Sequence, residues 1–90
     1  MSNGAPHERI AISWAAQGRA DLRSIDRDTA LQVLRCLDRY LLSRDGDVKK
    51  LQHPQTGFRL RCGDYRLFFD FLGEDAIEIT AVRNRREAYR

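Results

Sequence analysis

The chain has 90 residues, of which 42% are hydrophobic and 32% charged, a composition typical of a small globular domain rather than a disordered segment. Its net charge of +3 permits a polyanionic partner without indicating one. The length excludes a second independent core, and the sequence has neither a signal peptide nor an apolar run near the roughly 18 residues of a membrane span. We therefore expect a single cytoplasmic domain over residues 1–90, with no membrane partner.

The two cysteines and two histidines do not form a metal-binding pattern. Cys36 and Cys62 lie far apart in the sequence, and His7 and His53 are isolated. Cysteines at such spacing in a cytoplasmic protein are typical of small buried side chains with reduced thiols. The sequence accordingly predicts neither a metal site nor a cofactor.

The first quarter of the chain predicts one strand and one short helix. Residues 1–7 are polar, contain Gly and Pro, and are expected to be mobile. Residues 8–14 place isoleucine and tryptophan at alternate positions, as a half-buried strand does. Residues 15–25 carry few strand formers and predict a short helix, although Gly18 weakens it.

A longer second helix follows, with Asp28 or Thr29 as its N-terminal cap. Apolar residues then recur at the three-four spacing of one buried helix face: Ala30, Val33, Leu34, Leu37 and Leu41. The helix should stop before "RDGD", where Gly46 can adopt the left-handed conformation that ends helices. The next segment, residues 48–57, reads as a loop.

Three strands are expected in the last third, at residues 58–62, 65–72 and 76–82, separated by two turns. The predicted fold is therefore α+β in the order β-α-α-β-β-β, with two helices packed on one face of a small twisted, mainly antiparallel sheet. The predicted core comprises Trp14, Leu34, Leu37, Leu41, Leu60, Leu67, Phe69, Ile77 and Ile79.

The hairpin "RLRCGDYRLFF" raises an electrostatic question. If Gly63 and Asp64 form its loop, Arg61 faces Arg66, and Arg59 lies on the same face. Like charges directly opposite each other are unfavourable, so replacing one arginine should relieve repulsion. Either a bound phosphate or carboxylates such as Asp70 and Glu78 should offset the charge.

The C-terminal run "RNRREAYR" adds further positive charge beside this hairpin. It brings Arg83, Arg85, Arg86 and Arg90 together with Tyr89. Guanidinium groups pair with phosphates and aromatic rings stack on bases, so this combination suits an extended nucleic-acid strand.

Together, "DVKKL", "FRLRCGDYRLFF" and "VRNRREAYR" resemble the RelE/ParE superfamily of bacterial toxin–antitoxin toxins, over about residues 9–90. The resemblance implies a metal-independent endoribonuclease that cuts mRNA on the ribosome by driving the ribose 2′-hydroxyl onto the adjacent phosphate. It assigns transition-state stabilisation to Arg66 and Arg85, and orientation of the nucleotide to Tyr89.

The remaining basic residues receive roles from the same resemblance. Arg61 is expected to join the catalytic set, and ribosome or RNA binding falls to Lys49, Lys50, Arg59, Arg83, Arg86 and Arg90. Arginine stays protonated, which makes it a poor general base where other members carry lysine. Candidates for the base are Tyr89, Glu87, His53, Lys49 and Lys50.

Two alternatives remain open within the resemblance. The ParE branch shares the fold but inhibits DNA gyrase, and an inactive member would only bind an antitoxin. Retention of Arg66, Arg85 and Tyr89 favours the ribonuclease branch. In each case the expected partner is an acidic, partly disordered antitoxin.

Overall fold

A computed structural model describes residues 10–88, so the predicted mobile segment 1–7, Tyr89 and Arg90 lie outside the described residues. The elements, in chain order, are β1 (Ala11–Trp14), α1 (Ala16–Arg23), α2 (Arg27–Ser43), β2 (Asp47–Lys50), β3 (Phe58–Cys62), β4 (Tyr65–Phe71), β5 (Ala76–Asn84) and α3 (Arg85–Ala88). None of the helices in residues 10–88 is long and apolar enough to cross a membrane.

The strands form one five-stranded sheet in the order β1-β5-β4-β3-β2. β1 runs parallel to β5, and the other neighbours are antiparallel. The predicted α+β class is confirmed, but residues 10–88 contain two elements that the predicted order lacks: β2, which occupies the start of the predicted 48–57 loop, and α3. The sequence missed β2 because Val48 is the only apolar residue among its four, a composition common in short, charged edge strands.

The predicted register of the central hairpin is confirmed. Cys62 pairs with Tyr65, and Arg61 pairs with Arg66, across a turn in which Gly63 has φ +62°. One face of the sheet contributes the core together with α2. The buried core residues are Val33, Leu37, Leu41, Leu60, Cys62, Leu67, Phe69, Ile77, Ile79 and Val82. Trp14 and Leu34, which were predicted to lie in the core, are only partly buried.

Helix α2 begins and ends at residues other than those predicted. Its cap is Asp26, whose carboxylate accepts a hydrogen bond from the Thr29 N–H at 3.1 Å. Hydrogen bonding by the Thr29 side chain, and after it by the Thr29 N–H, lowers the pKa of Asp26. At the other end Arg44, not Gly46, takes the left-handed conformation, with φ 62°. Its guanidinium donates to the Leu41 carbonyl at 2.7 Å, and this contact helps a non-glycine residue to hold that conformation.

The prediction of reduced thiols is wrong: Cys36 of α2 and Cys62 of β3 form a disulfide, with their Cα atoms 5.9 Å apart. This separation lies in the range that a disulfide spans. Packing of α2 on the sheet brings the two residues together although 26 positions separate them in the chain. Sequence spacing alone contains no information about that packing.

Helix α1 lies against the backbone of β5. A Cβ atom added at Gly18 would lie 2.5 Å from the Ile79 carbonyl oxygen, closer than real Cβ contacts. One turn later, the Asp21 carboxylate accepts a hydrogen bond from the Val82 N–H at 3.0 Å. Because β1 pairs with β5 only as far as Ile79, α1 satisfies the part of β5 that lacks a strand neighbour on that side.

Gly18→Ala should destabilise the domain even though alanine favours helix. The gain of about 1 kcal/mol in helix propensity is outweighed by forcing α1 away from β5, and overpacking typically costs about 1–3 kcal/mol. Urea denaturation measures the change, with Arg19→Ala at the exposed neighbouring position as the control. A more stable Gly18→Ala protein would show that α1 can shift without loss.

Candidate functional site

Three arginines lie in one row across the face of the sheet opposite the core. Arg61 of β3 pairs with Arg66 of β4, and Arg66 pairs with Arg83 of β5. We call Arg61, Arg66 and Arg83 the arginine row. Asp47 of β2 extends it at the outer edge by pairing with Arg61. Such a row concentrates positive charge, because neighbouring cross-strand side chains approach to about 5 Å.

Each member of the arginine row has acceptors on a different element, which offset the repulsion. Arg66 is only 6% exposed, and its Nη1 donates to the carbonyls of Gly63 at 2.8 Å and Tyr65 at 3.0 Å. Arg61 lies 3.9 Å from the Asp47 carboxylate, and Arg83 lies 3.4 Å from that of Asp21.

The carboxylates predicted to neutralise the hairpin occupy another row of the same face. Asp70 and Glu78 are cross-strand partners of one another. The carboxylates beside Arg61 and Arg83 instead come from β2 and α1, two elements whose placement the hairpin sequence does not encode. Asp21 and Asp47 are therefore site residues that sequence reasoning missed.

Two concave regions adjoin the arginine row. A cavity of about 70 Å³ is lined by Arg61 and Arg66 together with Asp47, Lys49 and Arg59. A larger groove of about 530 Å³ lies beside it. The groove lies between the 51–57 loop and the start of α3, and its lining includes Pro54, Phe68, Thr80, Arg83 and Glu87. Arg83 thus belongs to both the row and the groove.

Phe68 gives the groove an aromatic surface. It lies two residues after Arg66 on β4, so strand alternation places both side chains on the same face. Its side chain is partly exposed, unlike that of Phe69, which is buried in the core. The alternation was visible in the sequence, but the loop that turns this face into a groove was not.

The C-terminal arginines begin at the turn that holds Arg66. The N–H of Arg85 donates to the Asp64 carbonyl at 2.7 Å, so α3 starts on the β3–β4 turn. The side chains of Arg85 and Arg86 are exposed. Glu87 accepts a hydrogen bond from the Asn84 N–H at 3.3 Å and also lines the groove.

The structure separates the other predicted binding residues. Lys49 pairs with Arg59 on the arginine face, next to Phe68. Lys50 is the neighbouring residue on β2, pairs with Phe58, and so alternates to the opposite face. Tyr89 and Arg90 fall outside the described residues.

Of the proposed bases, Lys49 and Glu87 line the concave regions, and His53 is an exposed residue of the 51–57 loop. Tyr89 lies outside the described residues, and Lys50 lies on the face opposite the arginine face. Residues 10–88 contain no cluster of three or more His, Cys, Asp or Glu side chains arranged to hold a metal ion.

Comparison with known proteins identifies the family. The sequence model described as the ParE toxin of type II toxin–antitoxin systems, parDE, matches residues 12–89. The chain belongs to this toxin family. The predicted RelE/ParE superfamily membership is therefore confirmed, and the protein is a toxin of a type II toxin–antitoxin system. No curated protein matches this toxin in sequence.

Solved structures show that the toxin has a RelE-like fold. The RelBE2 toxin–antitoxin complex from Mycobacterium tuberculosis matches with a TM-score of 0.73 and 22% identity, over 87% of this chain and 93% of that one. The RelB–RelE complex from Methanococcus jannaschii matches at 0.69 and 21%, over 86% and 94%. The YoeB dimer from Staphylococcus aureus matches at 0.64 and 20%, over 83% and 95%.

The hydrogen bonds of Arg66 reverse the expectation that replacing one hairpin arginine would relieve repulsion without loss of stability. Arg66→Ala would remove two part-buried hydrogen bonds from a charged donor to the Gly63 and Tyr65 carbonyls. Such bonds contribute about 1.5–3 kcal/mol, which exceeds the relief of cross-strand repulsion of under about 1 kcal/mol. We expect a lower midpoint of thermal unfolding than for the parent protein.

Arg61→Ala is the matched control, because the Arg61 side chain is 62% exposed and its ion pair with Asp47 is long, at 3.9 Å. Its removal should change stability by no more than about 0.5 kcal/mol. If Arg66→Ala melted at or above the parent temperature, relief of repulsion would outweigh the lost hydrogen bonds. The turn carbonyls would then not be what stabilises Arg66.

Proposed function

We propose that this toxin is a metal-independent endoribonuclease, formed by one domain over the whole chain, that acts in the cytoplasm on mRNA bound to the ribosome. The observation that supports it is the arginine row beside an aromatic-lined groove. A row of guanidinium groups suits phosphates, and an adjacent ring suits an unstacked base.

The spacing of the two features fits a single strand. Arg66 and Phe68 are two residues apart on one face of β4, about 7 Å along the strand. A phosphate on the arginine row would place the attached nucleoside beside the groove. Stacking on an aromatic ring contributes about 1–3 kcal/mol per base and tolerates any sequence.

The arginine row also suits the transition state of phosphodiester cleavage. Attack by the 2′-hydroxyl places additional negative charge on the phosphate oxygens, and donors fixed beforehand stabilise that charge without reorganising. The turn carbonyls fix Arg66 in this way. In the proposal Arg66, Arg61 and Arg85 contact the scissile phosphate, and Tyr89 orients the nucleotide.

Proton transfer requires another group, because arginine remains protonated. Glu87 in the groove and Lys49 in the cavity are the described candidates that lie beside the row. Ground-state contacts with the RNA are assigned to Arg59, Arg83, Arg86 and Arg90 and, where Glu87 is the base, to Lys49. Lys50, on the opposite face, is assigned a contact with the ribosome. Such contacts fix the position of the strand without favouring the transition state.

Inhibition of DNA gyrase is the alternative function. It is favoured by the description of the matching family, which names the parDE system. In that case the arginine face would bind a protein surface, and the groove would receive a side chain rather than a base. The two functions make opposite predictions in the same pair of assays.

Purified toxin added to a translating extract should cut mRNA within ribosome-bound codons, because the ribosome presents the strand in an extended form. Omission of ribosomes should abolish the cuts, and gyrase supercoiling should be unchanged. Sequencing of the cleaved ends and a supercoiling assay measure the two outcomes.

Arg85→Ala provides the matched test, since its side chain is exposed and the fold should tolerate the change. Loss of a transition-state donor should lower the single-turnover rate about 10²- to 10³-fold, with little loss of ribosome affinity. Arg86→Ala next to it should mainly weaken binding and its salt dependence. Stalled gyrase with intact mRNA would replace this proposal by the gyrase function.

We further propose that an acidic, partly disordered antitoxin binds this toxin. The relatives from M. jannaschii and M. tuberculosis were solved as toxin–antitoxin complexes. The toxin itself has an apolar cleft of about 200 Å³ between β1 and α2, lined by Ile12, Leu31 and Leu34. Ile12 and Leu31 are 40% and 37% exposed. Exposed apolar side chains grouped in a cleft are typical of a protein-binding surface.

Leu31→Arg should weaken antitoxin binding without loss of toxicity, because it places a charge in the apolar cleft and leaves the arginine face intact. Titration with the antitoxin encoded beside the toxin gene, followed by calorimetry, measures the effect. Leu42→Arg, which alters a 64% exposed leucine further along the same helix, is the control. Equal binding by parent and Leu31→Arg proteins would place the antitoxin elsewhere.

A further inference from the structure

The disulfide between Cys36 and Cys62 joins α2 to the start of the turn that positions two arginines. Cys62 is the last residue of β3 and immediately precedes Gly63 and Asp64. The Gly63 carbonyl accepts from the Arg66 guanidinium at 2.8 Å, and the Asp64 carbonyl accepts from the Arg85 N–H at 2.7 Å. One covalent link therefore lies next to both anchoring contacts.

We propose that Cys36–Cys62 is a thiol–disulfide exchange site for a dithiol reductant, and that its redox state controls the position of this turn. The proposal goes beyond the ribonuclease function and rests on it for its effect on activity. Oxidised protein holds the turn against α2, and reduced protein releases it. No other cysteine exists in the chain to compete for either sulfur.

The dithiol reductant supplies the two electrons that reduce the protein disulfide. A thiolate of the dithiol attacks one sulfur of the pair, forms a mixed disulfide, and releases the other sulfur as a thiolate that takes up a proton. The second thiol of the reductant then displaces the remaining protein sulfur. Two protein thiols form, and the dithiol becomes a disulfide.

The surroundings of the disulfide allow this attack. Cys36 is partly exposed, whereas Cys62 is 7% exposed. Cys62 also lines a cleft of about 310 Å³ between α2 and the turn, together with Thr29, Gln32, Asp64 and Tyr65. A thiol can therefore approach along the helix without unfolding the sheet.

A disulfide that only strengthens the fold would act differently. It would restrain the unfolded chain over the 26 positions between the cysteines and would leave the folded turn unchanged on reduction. A local effect on the site is expected because Arg66 and Arg85 donate hydrogen bonds to carbonyls of this turn. Disulfides that persist in a reducing cytoplasm are uncommon, and those that form there usually respond to redox state.

The test compares oxidised and reduced full-length toxin in mixtures of reduced and oxidised dithiothreitol, at a temperature where both are folded. Reduction should lower the melting temperature by roughly 10–25 °C. It should speed hydrogen exchange of the Arg85 amide and lower the mRNA cleavage rate about 10- to 100-fold, as misplacement of catalytic groups does. Reoxidation should restore the melting temperature, the Arg85 exchange rate and the cleavage rate.

Two controls separate a local effect from a global one. The Ala15 amide, which donates to the Ile79 carbonyl at 3.0 Å in another part of the sheet, should keep its exchange rate on reduction. The double variant Cys36→Ala, Cys62→Ala should behave as reduced toxin in both conditions. If that variant does not fold, reduced wild-type protein provides the same comparison.

Three results would decide against the proposal. Alkylation of both cysteines in air-oxidised protein would show that the disulfide does not form. A lower melting temperature with unchanged Arg85 exchange and cleavage would show a purely stabilising link, and equal acceleration at Ala15 would show general loosening. If neither redox form cuts mRNA, the ribonuclease function fails, and Arg85 exchange alone then decides whether the disulfide controls the turn.

Discussion

The repulsion within the arginine row is the constraint on which the rest of this toxin depends. Three guanidinium groups in one cross-strand row oppose folding unless each has acceptors nearby. The protein supplies these acceptors from three different elements: the β3–β4 turn for Arg66, β2 for Arg61, and α1 for Arg83. Positive charge is thereby held in place without being neutralised by the carboxylates of the hairpin itself.

The same requirement explains the close approach of α1 to the sheet. Asp21 reaches both the Val82 N–H and the Arg83 guanidinium only because Gly18 lets the helix backbone approach Ile79. The Asp21 carboxylate therefore has two functions, satisfying a strand that lacks a neighbour and neutralising one end of the arginine row. Gly18 lowers the helix propensity of α1, but its missing side chain is what allows α1 to pack on β5.

Local rules recovered the parts of this fold that depend on neighbouring residues. A two-residue turn fixes the hairpin register, so the pairing of Arg61 with Arg66 followed from the sequence. Features that depend on partners remote in sequence were missed. Strand β2 forms by pairing with β3, Asp21 acts by accepting a hydrogen bond from β5, and the disulfide forms because α2 packs on the sheet. The cap at Asp26 was missed for another reason, since several neighbouring residues can cap a helix and the sequence does not rank them.

The two faces of the sheet impose a condition on any antitoxin. The apolar cleft between β1 and α2 lies on the helix side, whereas the arginine row and the groove lie on the opposite side. A segment bound only in the cleft would leave the arginine face uncovered. Inhibition by occupation of the site therefore requires a second, acidic segment that passes around a sheet edge. The cleft borders β1 and the arginine cavity borders β2, the two opposite edges of the sheet, so such an antitoxin would have to extend across the width of the sheet. An antitoxin that binds the cleft alone would have to inhibit without covering the arginine face, by blocking access of the toxin to its target.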